Sequence, residues 1–230
     1  FVANRVESLY GILNGTTNYI LTRMSRGEGD YADILKDAQY HGYAEPDPTM
    51  DVSGMDAAQK LAILCRIAFH STGTGSDVFC EGIECIEKSD IEYVRELGYV
   101  IKLLAIAKQQ NGSVEARVHP AMVPVDSLLA NIHDEFNAIQ VQGSAVGPHV
   151  FSGRGAGQLP TASAVVADMA DFLERRLAGV CTAFGDMILG AEAVAVTSVE
   201  GFETVLYTNL TLRTTQHVEI RAMRVRGNYI

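Results

Sequence analysis

Residues 42–60 read GYAEPDPTMDVSGMDAAQK, and this stretch constrains the fold more than any other. Pro46 and Pro48 fix their own φ angles and press the residues before them toward extended geometry. Glu45 and Asp47 are therefore predicted on a stiff, extended path. Asp51 or Ser53 can cap a helix that starts near Gly54 and runs to about His70. A rigid acidic loop thus delivers carboxylates to the start of a helix.

Within that helix, Ala57, Leu61, Leu64, Cys65 and Ala68 share one apolar face at a 3.6-residue period. Gln59, Arg66 and His70 form a narrow polar stripe. Asp56 and Lys60 belong to neither. Their i,i+4 stripe continues through Ile63 and Ile67, so the pair is expected to lead into apolar surroundings. There it is costly unless partnered. The plain alternative is a surface ion pair worth about 0.2–0.5 kcal/mol. The residue types suit a small polar substrate. Glu45 can hold an ammonium group, and Asp56 can accept from a hydroxyl or orient Lys60. A buried lysine can shuttle a proton.

Composition narrows the partners. The formal net charge is −10 and the pI about 5.0, which disfavours nucleic acid or an anionic membrane surface as partner. No apolar run is long enough to span a bilayer, and the first residues lack the pattern of a signal peptide. Cys65, Cys80, Cys85 and Cys181 form no CxxC and have no zinc spacing with histidines, so a reducing, cytoplasmic setting is expected. Residue 1 is Phe rather than Met, and the chain is read as a piece of a longer protein.

Along the chain, residues 6–13 read as a strand and 16–26 as a helix with Ile20, Leu21 and Met24 inward. Asn14, Gly15 and Thr16 bring amides and a hydroxyl to that helix start, which suits either an anionic group or a plain cap. Residues 30–40 form a second helix closed by Gly42, and 78–86 hold a short extended segment. Residues 89–110 are predicted as one long helix through Ile91, Val94, Leu97, Ile101, Leu104 and Ile106. Strands follow at 114–125, 136–141 and 145–151, the last two as a hairpin. Pro160 opens a helix to about Leu177. Further strands are predicted at 193–199, 203–213 and 218–225.

Two tempting motifs fail. A calcium loop started at Asp47 places Val52 where glycine is required and Ala58 where the bidentate acid belongs, so no metal site is expected. The GRGAG run at 153–157 lacks a parallel βαβ context and has Pro160 where a close-packing glycine belongs, so it is not a dinucleotide fingerprint. The histidines lack a nucleophile partner, and His119 before Pro120 is the one to examine first.

Three ordered segments carry a resemblance: GILNGTTNYILTRM at 11–24, GYAEPDPTMDVSGMDAAQKLAIL at 42–64 and GRGAGQLPTASAVVADM at 153–169. Together they resemble the catalytic domain of homoserine dehydrogenase over roughly residues 6–176. That family reversibly oxidises L-homoserine to L-aspartate 4-semialdehyde with NAD or NADP. The resemblance implies an α+β fold, a mixed sheet covered by helices on one face, as in the GAPDH-like substrate domain of a dehydrogenase. It implies that Lys60 is the proton donor, working with Asp56, and that Glu45 and Asp56 bind substrate. Thr16, Tyr43 and Asp51 lie in the same motifs and are further substrate-binding candidates. Gly42, Gly155 and Gly157 are candidates for cofactor contact, the cofactor being bound mainly by a domain outside this chain.

The resemblance also implies a homodimer paired through the sheet. Residues 1–178 are read as the catalytic and dimerisation domain and 179–230 as a β-rich tail without assignment. Two competing readings stand beside it: a non-catalytic dimerising or ligand-binding module, and a dehydrogenase of another amino-acid semialdehyde.

Overall fold

The computed structural model describes residues 1, 3–110 and 112–179 and, as backbone alone, 196–197. Among the described residues, seven strands form one mixed sheet: β1 (Val6–Ile12), β2 (Phe79–Cys80), β3 (Tyr99–Gln110), β4 (Ser113–Pro124), β5 (Phe136–Gly143), β6 (Gly147–Arg154) and β7 (Val196–Thr197). The order is β2-β4-β3-β1-β5-β6, with β7 also paired to β4. β2 and β7 run parallel to β4, and every other pairing is antiparallel. The helices are α1 (Gly15–Ser25), α2 (Tyr31–Tyr40), α3 (Thr49–Val52), α4 (Met55–Phe69), α5 (Lys88–Glu96) and α6 (Gln158–Leu177).

The sheet and helices bear out the expected α+β class. β4 shows why the face assignment holds: Val114, Ala116 and Val118 alternate into the main core against Leu61, Cys65 and Phe69 of α4. α4 lies against β3 and β4 and also reaches β1. That packing brings the start of α4 beside the end of β1, where the chain turns into α1.

One expectation is overturned. The single helix predicted over 89–110 is two elements, α5 and then β3. Gly98 adopts φ +81°, a conformation that ends the helix and favours glycine. The run that follows is buried on both faces of the sheet. Ile101, Leu103, Ala105 and Ala107 join the main core, while Leu104 and Ile106 join a second cluster with Ile12, Val123, Leu129 and Ala138. A strand buried on both faces loses the alternation that marks a strand, so its apolar run is read equally well as a helix.

Smaller shifts have local causes. α4 is preceded by the separate short turn of α3, and Gly54 at φ +83° occupies its cap position without a side-chain bond, displacing Asp51 and Ser53 from that role. α6 begins at Gln158, with Pro160 as its third residue. The hairpin of β5 and β6 is present. The predicted strands at 203–213 and 218–225 lie outside the described residues.

Candidate active site

Asn14 lies just past the end of β1 and caps α1. Its Oδ1 accepts from the Thr17 amide at 2.8 Å and from Thr17 Oγ1 at 2.9 Å. The side chain is thereby held with its Nδ2 outward. That nitrogen donates to Asp51 Oδ1 at 2.7 Å and to Asp56 Oδ2 at 2.9 Å. Two carboxylates from α3 and α4 are thus gathered on one amide.

Lys60 follows Asp56 by one helical turn. Its Nζ donates to Asp56 Oδ2 at 2.7 Å and to the Leu13 carbonyl at 3.2 Å. An ammonium has three N–H donors, so one remains for a ligand oxygen. Asp56 Oδ2 takes both Asn14 and Lys60, which leaves Oδ1 outside that pairing.

The pair is not sealed in apolar surroundings, contrary to expectation. The side chain of Lys60 is 48% exposed and that of Asp56 27% exposed. Ile63 and Ile67 further along the stripe are 60% and 50% exposed. A 3.6-residue period reports which residues share a side of α4. It does not report whether another element covers that side.

Thr16 and Tyr43 meet directly: Thr16 Oγ1 donates to the Tyr43 carbonyl at 2.8 Å. The Tyr43 ring packs on Tyr19 with centroids 4.9 Å apart. Burial, reinforced by its hydrogen bond to Asp37, pushes the Tyr19 hydroxyl up to about 12. Tyr19 is therefore a packing group that seats Tyr43. Glu45 is brought less close. It lies exposed in the proline loop, held through its backbone carbonyl by Gln39 Nε2 at 3.3 Å. Asp47 is turned to local use. It accepts from Thr49 Oγ1 and the Thr49 amide, which hold its carboxyl below the usual range.

The three glycine candidates differ. Gly42 sits at φ +73° with open space around it, and Gly157 at φ +113° caps α6. Gly155 packs tightly, since a Cβ there would come within 2.2 Å of Asn137 Nδ2. The loop is preceded by the antiparallel pair β5 and β6 rather than by a parallel βαβ unit. Among the described residues, this loop therefore does not build a dinucleotide fold.

The sequence marks Asn14 only as part of a helix start and gives no sign of Asn137. A buried cap between β1 and α1 was the available signal for Asn14. None existed for Asn137, whose partners are 124 and 18 residues away in the chain. His119 lies in β4 with Nδ1 2.8 Å from the Pro120 carbonyl, and burial holds it below the usual histidine range. Cys65 is in the core and burial pushes its thiol up to about 12. Among the described residues no group of three His, Cys, Asp or Glu side chains could hold a metal ion, and no helix is long and apolar enough to cross a membrane.

The family model for homoserine dehydrogenase matches residues 1–170. The homoserine dehydrogenase of Neisseria gonorrhoeae is 47% identical over 169 residues, which cover 74% of this chain and 39% of that protein. The crystal structure of a homoserine dehydrogenase from Thiobacillus denitrificans superposes with a TM-score of 0.79 at 43% identity, covering 85% of this chain and 46% of that one. A hyperthermophilic archaeal homoserine dehydrogenase in complex with NADPH shares the fold alone, at 24% identity and a TM-score of 0.60, over 74% of this chain and 48% of that one. The chain spans about two fifths of the length of the curated relatives it matches.

Proposed function

This chain belongs to the homoserine dehydrogenase family, and on that premise we propose that it is the substrate-binding and catalytic part of such an enzyme. The reaction is the reversible oxidation of L-homoserine to L-aspartate 4-semialdehyde. The observation that carries this reading is the fixed placement of Lys60 by Asp56 Oδ2 and the Leu13 carbonyl, with Asn14 holding Asp56 from the other side.

Lys60 takes the hydroxyl proton of homoserine as hydride leaves and returns it in the reverse direction. Asp56 orients the Lys60 nitrogen through the hydrogen bond it accepts at Oδ2. Glu45 holds the substrate ammonium from the proline loop. Asp51, Thr16 and Tyr43 shape the remaining wall. NAD or NADP, when bound, supplies the hydride acceptor or donor. Holding reacting groups in a preset geometry is the contribution of this chain.

The cofactor is bound mainly by a domain outside residues 1–230, with Gly42, Gly155 and Gly157 at its edge. Two features support this. The described residues lack a βαβ unit, and α6 carries an exposed stripe of Val165, Val166, Met169, Phe172, Leu173 and Leu177 at helical spacing. Such a stripe calls for a covering surface. Residues 1–178 form the catalytic and dimerisation domain of a cytoplasmic homodimer, and 179–230 are a tail without assigned role. β6, exposed at the end of the sheet order, supports pairing through the sheet.

The test is an assay of the full-length protein with L-homoserine and NAD+ or NADP+. Cofactor reduction that needs homoserine is the expected result. Reduction only with a different amino alcohol would move the chain to another semialdehyde dehydrogenase, and none at all would favour a non-catalytic module.

A further inference from the structure

The Leu13 carbonyl has two lone pairs, and both are used. One accepts from Lys60 Nζ at 3.2 Å, the other from Asn137 Nδ2 at 3.2 Å. Asn137 belongs to β5, and its backbone pairs with Gly153 of β6. Its side chain sits in a slot between two glycines. A Cβ on Gly155 would meet Asn137 Nδ2 at 2.2 Å, and one on Gly15 would lie 3.6 Å from Asn137 Oδ1. The same Gly15 Cβ would strike the Glu135 carbonyl at 2.8 Å. The amide of Asn137 is thus packed between the start of α1 and the glycine loop, while it shares an acceptor with Lys60.

We propose that Asn137 is a positioning residue that ties the glycine loop to Lys60 through the shared Leu13 carbonyl. This deepens the proposed function and rests on its assignment of Lys60 as proton carrier. The loop at 153–157 leads directly into α6, so its place depends on whatever surface α6 packs against. Gly155 lies close enough that a shift of the loop moves the Asn137 amide, and Asn137 then alters how the Leu13 carbonyl is presented to Lys60. Substrate binding by Glu45 is not on this path. The proton step is therefore affected and homoserine binding is not.

The experiment is a double-mutant cycle on the full-length enzyme, with kcat and KM measured for L-homoserine and NADP+. Asn137→Ala lowers kcat by about 10-fold or more, as a misplaced catalytic group does, with the homoserine KM unchanged. Gly155→Ala does the same, because its methyl group displaces the amide. In the Asn137→Ala background the space is open, so adding Gly155→Ala lowers kcat no further, while any change in the NADP+ KM reports Gly155 at the cofactor edge. Asn137→Asp keeps the shape without the donor and repeats the kcat loss, which covers the case in which the alanine variant folds poorly.

Normal kcat in Asn137→Ala and Asn137→Asp overturns the proposal. So does an additive cycle, in which Gly155→Ala lowers kcat equally in both backgrounds. Lys60→Ala separates the two readings. If it abolishes turnover while Asn137→Ala does not, only the positioning role fails. If it leaves kcat normal, the proton-carrier reading itself fails.

Discussion

Asn14 Nδ2 lies 2.9 Å from Asp56 Oδ2, although the two residues are 42 positions apart, one capping α1 and the other in the first turn of α4. The same nitrogen holds Asp51 at 2.7 Å, and Asn14 Oδ1 caps α1. One buried side chain, just past the end of β1, therefore starts a helix and gathers two carboxylates beside Lys60.

These roles of Asn14 are separable. Serine caps a helix about as well as asparagine but cannot span to both acids. Asn14→Ser is expected to stay within about 1 kcal/mol of wild type in urea unfolding. Its kcat should fall by about 10-fold or more through a displaced Asp56. Unfolding curves and steady-state kinetics on the same preparation check this, and an unchanged kcat would reduce Asn14 to a cap.

Lys60 and Asp56 are expected to act as a unit. Lys60→Ala should lower kcat by at least about 100-fold, the lower range for a lost acid–base group. Asp56→Asn should also lower kcat and add little on top of Lys60→Ala, because residues that act together are non-additive. Glu45→Gln should instead raise the homoserine KM, since it removes charge from an ammonium site and keeps the shape. Near-normal kcat in Lys60→Ala would make the pair a structural i,i+4 bridge.

Lys102 gives a pH signature of stability. Only 3% exposed in β3, it donates to Asn18 Oδ1 at 3.0 Å and to the Ile132 carbonyl at 2.6 Å. Burial pushes its ammonium down to about 8 from an ordinary 10.5, with Asp134 opposing and Arg26 adding to the fall. The neighbouring His133 is pushed below its usual range by burial, then by Lys102 and Arg26. Below about 8, native and unfolded chains both hold the lysine proton and the cost of the buried charge is fully present. Between about 8 and 10.5 the unfolded chain binds more protons, so stability rises with pH. Relative to Lys102→Met, the wild type should gain roughly 2 kcal/mol between about pH 7.5 and 9.5. Urea unfolding of both proteins across that window reads the difference, and a flat difference would place the titration elsewhere.

The 230-residue chain alone should bind NADPH weakly or not at all, because its described sheet has no βαβ unit. It should still sediment as a dimer at micromolar concentration. Fluorescence titration and sedimentation velocity measure the two independently. Micromolar NADPH binding would assign the glycine loop a larger share of the cofactor site, and a clean monomer would remove the sheet-paired dimer.

The sequence by itself determined what depends on short-range rules. The helix start at Asn14, the helical spacing of Asp56 and Lys60, and the strand at 114–125 are local signals, and each appears in the structure. Tertiary structure decided the rest, because the deciding contacts join residues far apart in the chain. β3 is a strand because both its faces are buried, which no single window reveals. The surroundings of Asp56 and Lys60 are half open because no described element covers Ile63 and Ile67, and spacing along a helix is silent on coverage. Asn14 reaches Asp56, and Asn137 reaches Leu13, only because the sheet order sets β1 beside β5 and α4 against β1. A hydrogen bond needs its partners within about 3 Å, and that proximity is a property of the packed sheet and helices.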